Sequence, residues 1–254
     1  MTYFLASDEL RDGATVTLDG AEAAHILSAR RLRPGETFEL QDPAGRRFVM
    51  ELCPGPARKV TARVLRPALL PPPPPLALTL LQAAVKDKAA ETILRQATEL
   101  GVARLFVFPS ARAPGRPGTG GHASAAAKAH ERWLRIAWEA CKQCGRPAPP
   151  DLLLLDSLQR ALDAARDDAD NATPGWFLHP AAALTPQAAL TSHRGGPPAH
   201  ARLAVGPEGG FAPDEVAALE AAGFAAVALP GPILRADTAA LTGCSLMLHG
   251  RWGA

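Results

Sequence analysis

The sequence predicts an α/β protein in which a small β-rich domain precedes a larger domain of alternating strands and helices. Residues 1–70 contain short alternating apolar and polar runs separated by turn residues. Pro71 to Pro75 form a stiff polyproline segment, which is typical of a linker. Beyond it, short apolar runs are followed by helical patterns, as in parallel sheets covered by helices. We therefore place domains at 1–70 and 76–254, joined by the linker 71–75.

The first domain has the pattern of a small closed or half-open β-barrel, because its strands are short and turns recur between them. A short helix is expected from Ala21 to Ala29. The predicted strands are Ala14–Leu18, Glu36–Leu40, Arg47–Leu52 and Lys59–Leu65.

The second domain opens with a predicted strand, Leu76–Val85, and an amphipathic helix, Lys88–Leu100, which Gly101 ends. The last helix is more apolar than one buried side requires, which favours a buried or dimeric position. The remaining predicted elements are strand Arg104–Phe108, helix Ala123–Cys144, helix Asp156–Ala169, a strand from Gly175, strands Arg202–Val205 and Phe224–Leu229, and helix Thr238–Trp252.

Two glycine- and proline-rich loops, Gly206 to Phe211 and Leu229 to Arg235, each follow a predicted strand and precede a helix. Asp237 or Thr238 is expected to cap the second helix. Ligands of open α/β sheets bind at the carboxyl ends of strands. Glycine lets the backbone approach a ligand closely, and proline pre-orders the loop. Neither loop has the spacing of a P-loop or of a Rossmann dinucleotide site.

The composition argues against a membrane-spanning protein and against a secreted, disulfide-rich one. The chain has 254 residues, a formal net charge of +2 and four cysteines. We expect no membrane span, because no apolar run reaches the required ~18 residues. The start lacks the pattern of a signal peptide, and the cysteines form no disulfide framework, so we expect a cytoplasmic protein. Cys141 and Cys144 have no second cysteine pair nearby in sequence, which favours structural thiols over a metal site.

Charge distribution indicates a nucleic-acid partner. The segment from Val102 to Arg146 contains eight Lys or Arg and only two Glu, so its formal net charge is +6. A second cluster contains Arg30, Arg31 and Arg33. Clustered cations are typical of phosphate contacts, although solvated helix faces are the alternative interpretation.

The segment from Leu203 to Phe211 resembles the first cofactor loop of the SPOUT methyltransferases that modify small-subunit ribosomal RNA at a uracil N3. The second loop, from Leu229 through Ala239, resembles that family's second signature. Three departures occur: Pro230 replaces Gly, Pro232 replaces Arg, and Asp237 replaces Glu.

The resemblance extends over nearly the whole chain. The stretch from His25 to Glu36 is similar to the PUA-like RNA-binding domain of the same family. The segment Lys86 to Val102 resembles its lysine-rich helix, and Glu139 to Arg146 resembles the helix that reaches the active site. The resemblance implies a SPOUT α/β domain with a trefoil knot, preceded by a PUA-like β-barrel.

The activity implied by the resemblance is methylation of N3 of a uridine in 16S rRNA, on the small ribosomal subunit, by a homodimer that uses S-adenosyl-L-methionine and no metal. The implied catalytic candidates are Arg235, Arg146 and Glu208. The implied cofactor-binding candidates are Leu178, His179, Pro180, Val205, Gly206, Pro207, Glu208, Gly209, Gly210, Leu229, Pro230, Gly231, Ile233, Leu234 and Thr238. The RNA-binding candidates are Arg30, Arg31, Arg33, Arg112, Arg116, Gln143 and Arg146.

Two other functions stay open at this point. Pro230 and Pro232 would favour a non-catalytic RNA-binding protein with degenerate loops. A SPOUT enzyme could also act on another RNA or on a ribose 2′-hydroxyl.

Overall fold

The computed structural model describes residues 3–56, 58–113, 123–166, 173–193 and 196–253, with side chains from 127 onward in the third range. The fold is α/β, as the sequence predicts. The chain forms two compact units. One comprises Met1–Pro72 with Cys141–Ala148, and the other comprises Pro73–Ala140 with Pro149–Ala254. The bounds 1–70, 71–75 and 76–254 stay a prediction.

The first unit is a mixed five-stranded sheet in the order β1-β3-β4-β5-β2. β1 pairs with β3 in parallel, and the other pairs are antiparallel. A buried core that includes Phe4, Ile26 and Met50 lies against it. Helix α1 (Gly20–Ala24) continues into a π-helical turn, His25–Ala29. The strands are β1 (Tyr3–Leu5), β2 (Thr15–Leu18), β3 (Thr37–Gln41), β4 (Arg47–Cys53) and β5 (Val60–Pro67).

The second unit is built on a six-stranded sheet in the order β11-β9-β10-β6-β7-β8, with every pair parallel. All carboxyl ends therefore lie at one edge. The strands are β6 (Ala77–Ala83), β7 (Arg104–Phe108), β8 (Asp151–Leu154), β9 (Gly175–Leu178), β10 (His200–Val205) and β11 (Phe224–Val227). The helices are α2 (Asp87–Leu100), α3 (Ala123–Cys144), α4 (Leu158–Arg166), α5 (Pro186–Ser192), α6 (Pro213–Ala221) and α7 (Ala236–His249).

Helix α7 differs from its predicted start. It begins at Ala236, directly after the extended backbone of Arg235, whose side chain makes no cap. Asp237 therefore lies inside the first turn, where its Oδ1 accepts a hydrogen bond from the backbone N–H of Thr238 at 2.9 Å. The prediction that Asp237 or Thr238 occupies the cap position is wrong by two or three residues.

In the part of the chain that the structure describes, no helix combines the length and apolar character needed to cross a membrane.

Candidate functional site

A cavity of about 190 Å³ lies at the carboxyl ends of β9, β10 and β11. β9 lies between the other two strands in the sheet, so the loops that follow all three strands converge there. The cavity is lined by Leu178, His179, Pro180, Val205, Gly206, Pro207, Glu208, Gly210, Leu229, Gly231, Pro232, Ile233, Leu234, Ala236 and Ala239.

The loop after β10 is a tight turn that needs glycine at two positions. A Cβ added to Gly206 would lie 3.2 Å from the backbone nitrogen of Phe211, because the loop folds back on its own start. Gly210 has φ +68°, a left-handed conformation that disfavours other residues. Its N–H donates to the carbonyl of Pro207 at 2.9 Å. Buried Phe211 holds the far end of the loop. The turn thus presents its backbone to the cavity.

The loop between β11 and α7 brings an exposed apolar side chain to the same cavity. Gly231 has φ +106°, which again favours glycine. Ile233 lines the cavity and is 84% exposed. Arg235 follows, and its guanidinium pairs with the carboxylate of Asp237 at 3.3 Å. The loop therefore offers an apolar surface and, next to it, a cation held by an acid.

Most cofactor-binding candidates named from the sequence meet at this cavity. Gly209, Pro230 and Thr238 are not among its lining residues. Three further lining residues, Pro232, Ala236 and Ala239, were not predicted. The two alanines were missed because α7 begins at Ala236 and presents positions one turn apart on the same face.

A buried guanidinium forms the centre of a second polar site, in the first unit. Arg47 is 4% exposed, and its guanidinium stacks 3.7 Å from the ring centroid of Tyr3. Its Nη2 donates to Oε1 of Gln41 at 3.0 Å and to the carbonyl of Gly145 at 3.1 Å. Its Nη1 lies 3.6 Å from the carboxylate of Glu39. The buried cation therefore contacts hydrogen-bond acceptors and the face of an aromatic ring, which offset the cost of its burial.

Two more side chains complete this arrangement. The hydroxyl of Tyr3 donates to the carbonyl of Arg146 at 2.8 Å, and Nε2 of Gln41 donates to the carbonyl of Pro147 at 2.7 Å. Three consecutive carbonyls after α3, those of Gly145, Arg146 and Pro147, thus accept hydrogen bonds from side chains of the sheet. We call Tyr3, Gln41 and Arg47 the carbonyl clasp. It fixes the segment that carries the candidate Arg146, and no local sequence pattern predicts it.

The cysteines of the chain are free thiols. Burial, as the largest cause, raises the pKa of Cys141 to about 12, with Cys144 adding to the shift and Arg146 and Arg47 opposing it. Burial likewise raises the pKa of Cys244 to about 12. Both thiols are therefore protonated at neutral pH. Within the described ranges, no group of three His, Cys, Asp or Glu side chains could hold a metal ion.

The predicted RNA-binding residues have different environments. Arg30, Arg31, Arg33, Arg112 and Gln143 are exposed. Burial lowers the pKa of Arg146, against the influence of the two nearby thiols. Arg116 lies outside the described residues.

The +6 of the segment from Val102 to Arg146 is partly balanced from outside it. Arg132 forms an ion pair with Glu91, and Lys142, which is 6% exposed, pairs with Glu22 at 2.9 Å. The net charge of the segment therefore overstates its free positive charge.

Comparison with known proteins identifies the family. The model of the RNA methyltransferase domain matches residues 72–248. A ribosomal RNA small subunit methyltransferase E from Mycobacterium bovis is 33% identical over 252 residues, covering 97% of this chain and 92% of that protein. This chain belongs to the ribosomal RNA small subunit methyltransferase E family. The resemblance drawn from the two C-terminal loops is thereby confirmed.

Two solved structures share the fold of this chain. The ribosomal RNA small subunit methyltransferase E of Neisseria gonorrhoeae, bound to S-adenosyl methionine, is 29% identical, with a TM-score of 0.79 over 97% of this chain and 96% of that one. A Legionella pneumophila protein solved with bound S-adenosyl methionine is 25% identical, with a TM-score of 0.79 and 97% coverage of both chains.

Proposed function

We propose that this chain methylates N3 of a uridine in 16S rRNA of the small ribosomal subunit, with S-adenosylmethionine as methyl donor. The observation that carries this proposal is the cavity built by two signature loops at the carboxyl ends of adjacent parallel strands, in a chain that belongs to a methyltransferase family. We place the enzyme in the cytoplasm, where ribosomal subunits and free thiols are both found.

The cavity residues fit S-adenosylmethionine. Leu178, Ile233 and Leu234 supply apolar surface for an adenine ring. The side chain of Ile233 is largely exposed, so the ring can pack against it. The carboxylate of Glu208 complements the positive charges of the cofactor's methionine part. Backbone groups of the two glycine loops can approach closely because no Cβ intervenes at Gly210 or Gly231, where a Cβ would point into open space. When bound, the cofactor supplies a methyl group activated by its positive sulfur.

Residues of this chain must allow the uracil N3–H proton to leave before or during methyl transfer. Loss of that proton places negative charge on O2 and O4 of the base, which a fixed cation stabilises as in an oxyanion hole. Arg235 is the first candidate, because it lies between the cavity residues Leu234 and Ala236. Its ion pair with Asp237 restrains the guanidinium. We retain Arg146 as the second candidate, contributed across the proposed homodimer.

Glu208 is the candidate proton acceptor. It is exposed and lines the cavity, so its carboxylate can meet a base brought there. The target uridine must be unpaired or flipped, since N3 is enclosed within a base pair. We assign Arg30, Arg31, Arg33, Arg112, Arg116 and Gln143 to contacts with the surrounding RNA.

A homodimer is the proposed assembly. A groove on the second unit runs between α2 and α7, where Leu100, Leu241 and Leu246 lie only partly buried. A two-fold contact through such a face would pair the same residues in both copies. Light scattering should give twice the mass of the chain at micromolar concentration; a monomer would contradict this proposal.

We also propose that the parallel sheet with α7 forms a trefoil knot and that the first unit is a PUA-like barrel. The support is family membership, together with the insertion of β9 between the later strands β10 and β11. Threaded chains are rare exceptions among folds.

The test is methylation of unmethylated small ribosomal subunits with labelled S-adenosylmethionine, followed by mass spectrometry of the nucleosides. We expect N3-methyluridine as the labelled product. A label on ribose or on C5, or on a different RNA only, would overturn the proposal.

A further inference from the structure

One buried carboxylate joins two loops of the second unit. Glu215 lies in the first turn of α6 and is 8% exposed. It accepts a hydrogen bond from the backbone N–H of Ala212 at 2.8 Å, which is the ordinary reach of an N3 glutamate back to its own helix start. It also accepts from the N–H of Ala111 and the hydroxyl of Ser110, both at 3.0 Å. These two donors follow β7, more than a hundred residues earlier.

The hydrogen bonds from Ser110 and Ala111 to Glu215 hold a segment whose next residue, Arg112, lies beside the cavity. Arg112 directly follows Ala111, and its Nη1 donates to the carbonyl of Gly209 at 3.2 Å. A Cβ added to Gly209 would lie 3.1 Å from the Cβ of Arg112, so the two segments are in close contact. Gly209 sits between Glu208 and Gly210, which both line the cavity. The guanidinium of Arg112 is exposed, and it has further N–H donors to offer.

We propose that Glu215 is a positioning residue that holds Arg112 at the rim of the cavity, where Arg112 contacts a phosphate of the RNA beside the target nucleotide. This inference rests on the proposed function and adds to it the residue that positions Arg112. Hydrogen bonds to a carboxylate are among the stronger ones. Without them, the segment Ser110–Arg112 would have to be ordered on binding RNA, at a cost in conformational entropy. The contribution of Arg112 to RNA affinity therefore depends on Glu215.

A double-mutant cycle tests this dependence. The affinity for unmethylated small ribosomal subunits is measured for the wild type, Arg112→Ala, Glu215→Gln and the double variant. In the wild-type background, we expect Arg112→Ala to weaken binding about fivefold and to reduce the slope of log affinity against log salt by about 0.7–0.9, the range for one phosphate contact. In the Glu215→Gln background, the same change should alter affinity less than about twofold. Equal factors in the two backgrounds would overturn the inference.

Asp214→Asn is the matched control, because Asp214 is an exposed neighbour on the same helix turn and the charge change is identical. In that background, Arg112→Ala should keep its full fivefold effect. If Glu215→Gln fails to fold, the cycle with Ser110→Ala decides, since that change removes one bond to the same carboxylate. A wild-type chain that bound neither the cofactor nor small subunits would overturn the proposed function as well. If the wild type binds normally but Arg112→Ala weakens affinity by the same factor with and without Glu215→Gln, only the role of Glu215 would be overturned.

Discussion

The cavity of the second unit and the carbonyl clasp of the first unit are opposite kinds of polar site. At the clasp, Arg47 is 4% exposed and its guanidinium is surrounded by protein acceptors and the ring of Tyr3. At the cavity, Ile233 is 84% exposed and the backbone of two loops faces open space. The polar groups of the clasp find their partners within the chain, whereas the cavity leaves an apolar side chain and loop backbone accessible. Substitutions at the clasp should therefore change stability, and substitutions at the cavity should change binding and rate.

The largest effect is expected for Arg235→Ala. Removing one donor that stabilises a developing anion typically lowers kcat about 100- to 1,000-fold. Stability should change little, because the side chain of Arg235 is 78% exposed. The measurement is the single-turnover methylation rate on small ribosomal subunits.

Arg160→Ala is the control for that experiment. Arg160 is also an exposed arginine near an aspartate, with its Nε 4.0 Å from Asp156. It should retain the wild-type rate. Equal activity of Arg235→Ala and the wild type would remove Arg235 from the mechanism.

The clasp supplies the next largest effect. Arg47→Met leaves the carbonyl of Gly145 and Oε1 of Gln41 without their donor, which should lower the free energy of unfolding by about 2–4 kcal/mol. Arg63→Met is the matched change on β5, where the guanidinium pairs with Glu51 at 2.6 Å but is 56% exposed. An exposed pair contributes less than about 1 kcal/mol. Similar losses for the two variants in urea unfolding would show that burial does not distinguish these arginines.

The two sites also differ in how far the sequence predicts them. Each cavity loop is a contiguous segment, so glycines such as Gly206, Gly210 and Gly231 allow it to be recognised from the local sequence. The predicted bounds of β7 and α3 agree with the structure for the same reason, since each has a regular local pattern. The clasp joins Tyr3 to Arg146, 143 positions away, and no local pattern records such a pairing. β1, only three residues long, is too short to show alternation.

Replacing exposed arginines of the first unit should have a smaller effect, on RNA affinity. Reversing Arg31 and Arg33 to Glu should weaken binding to small ribosomal subunits about tenfold at 0.1 M salt and flatten its salt dependence by about two units of slope. Cofactor affinity should stay unchanged, because neither residue lines the cavity. Filter binding at several salt concentrations measures the first quantity and calorimetry the second. Unchanged RNA affinity would exclude these residues from the interface.

The most direct test of the account is a calorimetric titration with S-adenosylmethionine of the wild type, Ile233→Ala and Leu69→Ala. Leu69 is the matched control, because it is an aliphatic side chain 93% exposed in the first unit. Loss of the apolar contact at Ile233 should cost about 1 kcal/mol, a roughly fivefold weaker Kd. Leu69→Ala should bind as the wild type does, with one cofactor per chain. If Ile233→Ala bound the cofactor as tightly as Leu69→Ala, or if the wild type bound none, the cavity would not be the cofactor site.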